Sequence, residues 1–314
     1  MPHKAYLKDG YGRRDIQKPA FNFSPGEVAR PTVPRLKMNT LIKQREARLA
    51  AAGSGNAKRA VEELAAHVLG CKPLEIYFRD ITPEQQAELE KLIVRAEQGE
   101  PIQYIIGHVD FRGLEIHCDP RALIPRPETE LLVETVLSSI GNRQSSIIIA
   151  DVGTGTGCIA LALLAELPNA EVTGVDISSE ALALAHENAE RLGLSERFQP
   201  LGNNLLDGFA EASLDIVVSN PPYILSDVCK TLDASVRDFE PKLALDGGAD
   251  GLDLIRPLVE QAARVLKPGG RLFLEIGYDQ GDAVFQCLGK AGFAKVRVVK
   301  DMAGLDRIVY GEKR

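Results

Sequence analysis

One passage constrains this chain more than any other. Ile147-Ile148-Ile149-Ala150-Asp151-Val152-Gly153-Thr154-Gly155-Thr156-Gly157 runs directly into Cys158-Ile159-Ala160-Leu161-Ala162-Leu163-Leu164. A short apolar run, a glycine turn and an alanine- and leucine-rich stretch read as a buried strand handing over to a helix. Strands of that kind belong to parallel sheets covered by helices on both faces. The alternation then repeats. Strands are predicted at 147–150, 171–175, 214–219 and 271–276, with helices at 128–140, 158–167, 179–192, 251–266 and 279–291. Ser178 is the expected N-cap of the helix at 179–192. Two last extended segments, 295–300 and 306–311, are joined through Ala303-Gly304. That link is too short for a crossover helix, so they are expected to pair antiparallel. The strand at 214–219 is expected beside 147–150, which places a crevice at the switch point of the sheet.

Upstream the pattern differs. Residues 38–99 read as helices: Val61, Leu64, Ala65, Val68 and Leu69 fall at helical spacing and Gly70 stops them. Thr82-Pro83-Glu84-Gln85 opens another helix, with Thr82 as N-cap, Pro83 in the first position and Gln85 closing a capping box. Residues 101–125 read as extended, with alternating Leu114, Ile116 and Cys118 suggesting a β-hairpin. The expected division is a tail at 1–37, a helical domain at 38–99, a hairpin connector at 100–127 and a sheet domain at 128–314. The tail carries eight basic and three acidic residues, with Pro and Gly throughout, and reads as a flexible basic extension.

Composition closes off some classes. No run approaches the roughly 18 apolar residues of a membrane helix, and no apolar stretch follows the charged start as in a secretory signal. Five scattered cysteines without a Cys-x-x-Cys argue against a disulfide framework or zinc site, so no metal is expected. A cytoplasmic, monomeric chain is the expectation. The formal charge is −7, from 37 basic and 44 acidic residues. Without the basic tail it becomes −12 over 38–314, which disfavours stable nucleic-acid binding.

The glycine turn gives the first site. Glycines there let the chain turn tightly and let a ligand approach the backbone. Asp176, ending the next strand, suits the two hydroxyls of a ribose. A dinucleotide fingerprint would read Gly-x-Gly-x-x-Gly, whereas this chain has Gly153-x-Gly155-x-Gly157 and places Cys158 at the third position. No basic group is evident to balance a pyrophosphate, and Asp151 just before the turn favours a cationic ligand. S-adenosylmethionine, with a positive amino group and sulfonium, is the better reading.

Asn220-Pro221-Pro222-Tyr223, following Ile216-Val217-Val218-Ser219, gives the second. Consecutive prolines donate no N–H and stiffen the backbone. The Pro221 carbonyl and the Asn220 side-chain oxygen are then two acceptors for one –NH₂ group, and Tyr223 offers a flat face to the planar group that carries it. An amide or aromatic amine is a poor nucleophile because its lone pair is delocalised. Two acceptors gripping its hydrogens favour pyramidalisation, aim the nitrogen at a methyl group and stabilise the charge it gains.

With both motifs in place the chain resembles the glutamine methyltransferases that modify peptide-chain release factors. The resemblance spans roughly 38–312. It rests on Gly99-Glu100-Pro101-Ile102-Gln103-Tyr104-Ile105-Ile106-Gly107, Leu123-Ile124-Pro125-Arg126-Pro127-Glu128-Thr129-Glu130, the Asp151–Gly157 turn, Asn220–Tyr223 and Ala303-Gly304-Leu305-Asp306-Arg307. It implies an α/β, Rossmann-like class I methyltransferase: a mostly parallel seven-stranded sheet with a small N-terminal helical domain joined by a β-hairpin. It also implies methyl transfer to the side-chain amide of the glutamine in a Gly-Gly-Gln loop. Carried over by position, Asp151, Gly153, Thr154, Gly155, Thr156, Gly157, Asp176, Leu205 and Asn220 would bind S-adenosylmethionine. Asn220, Pro221, Pro222 and Tyr223 would hold the glutamine, with Asn220, Pro221 and Tyr223 catalytic. Asn203-Asn204-Leu205-Leu206 stands where the family often has an acid and a ring, so the adenine contact falls to Leu205. The Pro125–Pro127 turn is expected against the methionine end of the cofactor. Whether Arg126 and Glu128 are only a helix-start ion pair stays open.

The rivals are a glutamine methyltransferase acting on a ribosomal protein, a DNA adenine methyltransferase, a non-catalytic cofactor binder and a dehydrogenase. The Ile-Pro-Arg-Pro-Glu-Thr-Glu stretch favours the release-factor branch. A DNA enzyme should carry a basic target-recognition region and a positively charged cleft for the flipped base.

Overall fold

The computed structural model describes residues 38–141 and 146–314; the basic-tail reading over 1–37 lies outside them. The first helices are α1 (Met38–Ala51), α2 (Ala57–Leu69) and α3 (Pro83–Glu97). Gly70 caps α2 at φ 59°, the left-handed region where a side chain is disfavoured. The capping box forms as read: Gln85 N donates to Thr82 Oγ1 at 3.2 Å, and Thr82 N donates to Gln85 Oε1 at 3.0 Å. Leu41, Leu49, Val61, Leu64, Leu89 and Ile93 gather these helices around a core of their own.

Residues 101–125 are extended only in part. Ile102–Ile106 forms a short helix, α4, which sends Ile105 into the helical core and Tyr104 into a small cluster with Cys118 and Ile124. The expected hairpin follows as β1 (His108–Phe111) and β2 (Leu114–His117), paired antiparallel. Periodicity missed α4 because five residues give too few turns for a helical repeat to register.

The sheet domain begins with α5 (Pro127–Ile140) and continues through β3 (Ile147–Val152), α6 (Cys158–Glu166), β4 (Ala170–Asp176) and α7 (Ser179–Arg191). Next come β5 (Phe198–Gly202), β6 (Leu214–Ser219), and the short helices α8 (Ser226–Cys229) and α9 (Ala234–Arg237). The domain closes with α10 (Ile255–Val265), β7 (Leu266–Glu275), α11 (Gly281–Lys290), β8 (Phe293–Lys300) and β9 (Asp306–Lys313). Seven strands align as β5-β4-β3-β6-β7-β9-β8. Pairs among the first five are parallel, and β9 runs antiparallel between β7 and β8. This is the Rossmann-like, mostly parallel seven-stranded sheet expected above.

Several details depart from the element-by-element reading, among them the short helices α8 and α9, which it did not contain. β5, Phe-Gln-Pro-Leu-Gly, escaped because Pro200 breaks the strand signal; it survives at the sheet edge, where the missing N–H is tolerated. Residues 251–254 precede α10 rather than belonging to it, and β7 starts at Leu266.

Period-two alternation divides the strands between two apolar layers. Ile149, Val172, Ile216, Val218, Phe273 and Ile308 pack under α5, α6 and α7. Their neighbours Ala150, Val217, Leu272, Leu274 and Val309 pack under α10 and α11. Neither layer draws a residue from 38–99. Both put the loops that follow β3, β4 and β6 at one edge of the sheet.

Candidate active site

β3 and β6 lie side by side in parallel register, Val152 opposite Ser219. The Ser219 hydroxyl donates to the Val152 carbonyl at 2.6 Å and ties the two strand ends together. The glycine turn and the Asn220 turn therefore leave the sheet as neighbours. A Cβ on Gly153 would lie 3.9 Å from the Asn220 carbonyl oxygen.

The turn is fastened from below. Gly153 and Thr154 N–H groups both donate to the Val175 carbonyl, at 2.8 and 3.0 Å. Asp151 is fully buried; its Oδ2 accepts from the Thr154 hydroxyl at 2.7 Å and from Ala160 N at 3.2 Å. Asp151 Oδ1 has no partner, and burial pushes the carboxyl up to about 7. Asp151 thus sits beneath the turn and does not line the cavity in front of it. Gly157 also stays out of the cavity: a Cβ there would come 3.2 Å from that of Ala185, so this glycine lets α6 pack closely on α7.

That cavity has a volume of about 270 Å³. Gly153, Thr154, Gly155, Thr156, Asp176, Leu205, Asn220, Pro221 and Pro222 all line it. Asp176, at the end of β4, is oriented by two amides: Gly155 N donates to Oδ2 at 3.0 Å and Ser178 N to Oδ1 at 2.9 Å. Leu205 holds a left-handed backbone at φ 51°, unusual for a branched side chain and a mark of local constraint.

The loop before α5 also lines the cavity. Arg126 lines the cavity and pairs with the buried Glu240 at 2.5 Å, not with Glu128, which is exposed. Glu240 also accepts from Ile124 N at 3.2 Å, so one carboxylate anchors the loop twice. Arg121, another lining residue, is held by Asp119 and Glu187 at 2.8 and 2.7 Å. Cations do line this cavity, contrary to the sequence reading, but carboxylates already match them. The lining fits S-adenosylmethionine: the oriented Asp176 carboxylate suits a ribose and apolar Leu205 suits a base.

Tyr223 lies past the cavity wall, half-buried, with its hydroxyl 3.4 Å from Glu275 Oε1 and its acidity lowered by burial, to a pKa of about 12. The Asn220 turn is braced by residues that sequence reasoning did not single out. Gln280 Nε2 donates to the Tyr223 carbonyl at 3.0 Å. A Cβ on Gly247 would lie 2.7 Å from the Pro222 carbonyl oxygen, and one on Gly251, at φ +75°, 2.4 Å from that of Tyr223. The string Asp246-Gly247-Gly248-Ala249-Asp250-Gly251 was the available signal: so dense a glycine run implies close backbone approach. Asn220 Nδ2 donates to Thr129 Oγ1 at 3.2 Å, bringing α5 into the same site.

Known proteins resemble this chain over most of its length. The family profile described as PrmC N-terminal domain matches residues 40–107, and that of the methyltransferase small domain matches 127–235. The release factor glutamine methyltransferase of Caulobacter vibrioides is 44% identical over 255 residues, covering 81% of this chain and 88% of the relative. That of Geobacter sulfurreducens is 39% identical over 266 residues, covering 84% and 92%. The solved protein-(glutamine-N5) methyltransferase (release factor-specific) of Alicyclobacillus acidocaldarius is 31% identical, covering 63% of this chain and 99% of that one, at a TM-score of 0.39. At 44% and 39% identity over more than four fifths of this chain, the Caulobacter and Geobacter relatives show that it belongs to the release factor glutamine methyltransferase family.

Proposed function

We propose that this chain transfers a methyl group from S-adenosylmethionine to the side-chain amide nitrogen of the glutamine in the Gly-Gly-Gln loop of peptide-chain release factors, as a monomer in the cytoplasm. The observation that carries the reading is the adjacency of the glycine turn and Asn220-Pro221-Pro222 on one cavity. Bound there, the cofactor supplies an electrophilic methyl group. Gly153 to Thr156 and Asp176 hold its nucleoside and amino acid parts, and Leu205 covers the base. The Asn220 side-chain oxygen and the Pro221 carbonyl accept the two amide hydrogens, raise electron density on nitrogen and stabilise the positive charge it acquires. Pro222 and Tyr223 keep the glutamine in place. No side chain need remove the proton before transfer, because the nitrogen becomes acidic as its new bond forms.

The helical residues 38–99 and the hairpin are proposed to recognise the protein substrate. The test is transfer of labelled methyl to a release factor, its loop Gln→Ala variant, a ribosomal protein and DNA. Label is expected on the intact release factor alone; label on the loop variant overturns the assigned acceptor. Asn220→Ala is expected to lower turnover by about 100-fold or more, the scale for losing a preorganised polar partner of the transition state.

A further inference from the structure

Glu275 ends β7 at the edge of the sheet where β6 delivers Asn220, and it is 1% exposed. The Tyr223 hydroxyl is 3.4 Å from its Oε1, while Oε2 has no hydrogen-bond partner. Arg307 faces it from β9 but is engaged with Asp301 at 3.1 Å. The Thr129 hydroxyl also faces it and favours its charged form. A carboxylate so placed is expensive to keep charged, and nothing in the methyl-transfer chemistry above uses it.

Its neighbours supply a use. An amide side chain has two nearly isosteric orientations. One presents Oδ1 to the cavity and can accept from a substrate –NH₂; the other presents Nδ2 and opposes it. Asn220 Nδ2 donates to Thr129 Oγ1 at 3.2 Å, which is the productive orientation. That bond is secure only while the Thr129 proton is committed elsewhere. A hydroxyl free to donate toward Asn220 would favour the reversed amide. An ionised carboxylate only accepts, so an ionised Glu275 would draw the Thr129 proton toward its unpartnered Oε2 and leave the Thr129 oxygen to Asn220.

We infer that Glu275 is a positioning residue: through Thr129 it fixes which face Asn220 turns to the substrate, and through the hydroxyl of Tyr223 it fixes that ring, touching neither substrate nor cofactor. This rests on the reading of Asn220 as the amide-gripping residue. It also gives Thr129, in the Pro127-Glu128-Thr129-Glu130 stretch, a task. Protonation would turn Glu275 from an acceptor into a donor and release Thr129. Burial pushes its carboxyl up to about 7, against Thr129, Arg307 and Tyr223, which favour the charged form, and with Glu128, which opposes it. Turnover should therefore fall as pH drops through about 7.

The test uses the full-length protein and the variants Glu275→Gln, Thr129→Val, Thr129→Ser and Glu275→Gln/Thr129→Val, each with its Tm measured. Glu275→Gln and Thr129→Val are expected to lower kcat about 10-fold, with KM for the release factor and cofactor affinity within about twofold. The double variant should lie within about threefold of either single one, because both act on one amide. The acidic limb near pH 7 should vanish in Glu275→Gln, and Thr129→Ser should recover most of what Thr129→Val loses. Unchanged kcat in Glu275→Gln, or single effects that multiply in the double variant, overturns the inference. Should Glu275→Gln fail to fold, equal kcat in Thr129→Val and Thr129→Ser overturns it instead. NMR of the Asn220 side-chain amide in the unliganded protein separates this from the function itself. Faster hydrogen exchange is expected in Thr129→Val, and equal exchange counts against the positioning role even if wild type methylates nothing.

Discussion

At the scale of single residues, Asp151 and Glu275 share one electrostatic condition: both are buried carboxyls whose pKa is pushed up to about 7, chiefly by loss of solvation. The folded chain then holds protons that the unfolded chain has released near pH 4. Stability must fall as pH rises between those values and level off above the folded pKa. Asp151→Asn keeps an oxygen for Thr154 and Ala160 but removes the titration. It should flatten the urea midpoint across pH 5–8, by up to about 1.4 kcal/mol per pH unit within the titrating window. Identical pH slopes in variant and wild type would refute this. Asp151 was legible in sequence as an acid before a glycine turn. Its position beneath that turn was not, because position depends on the carbonyl and amide partners that the fold brings in.

At the scale of elements, the site is made by how helices meet strands. Gly157→Ala would force a side chain onto φ +81°, with Ala185 Cβ at 3.2 Å and Leu161 Cδ1 at 3.3 Å. Strain and overpacking together should lower stability by about 2–3 kcal/mol, read as a shift in urea midpoint at constant slope; a shift under about 0.5 kcal/mol would mean that α6 and α7 simply separate. Glu240 joins the loop before α5 to the segment after α9. Glu240→Gln keeps an acceptor for Ile124 N but leaves Arg126 unbalanced. Because Arg126 is partly exposed, the expected loss is about 1–3 kcal/mol rather than that of a fully buried pair. It should also weaken cofactor affinity, measured by titration calorimetry; unaltered affinity would show that the loop holds without this pair. The capping box, Gly70 and Ser178 were readable because caps are local. Glu240 was not, since its partners lie 114 and 116 residues away.

At the scale of the whole molecule, the sheet's two apolar layers close without any residue of 38–99. Chemistry and cofactor binding therefore need not depend on the helices. Removing residues 1–99 is expected to abolish release-factor methylation while S-adenosylmethionine still binds, which equilibrium dialysis with labelled cofactor would read. Loss of both would refute the proposed division of labour. Charge acts at the same scale. The described region and its short interruption carry −12, and within the cavity wall Arg121 and Arg126 are matched by Asp119, Glu187 and Glu240. A neutralised wall suits a cofactor carrying positive charge better than a polyanion.

The sequence by itself determined the strand–helix alternation and the two turns, and suggested the chemistry proposed for each, because these depend on residues close along the chain: apolar runs set strands, glycines permit the turn, and paired prolines stiffen the backbone. Tertiary structure decided which residues stand behind those turns. Thr129 from α5, Glu275 from β7, Glu240 from the loop after α9 and the Gly247–Gly251 segment meet at one strand edge only once the sheet is assembled. Buried polar groups must find partners wherever the fold places them, and no local pattern records where that will be.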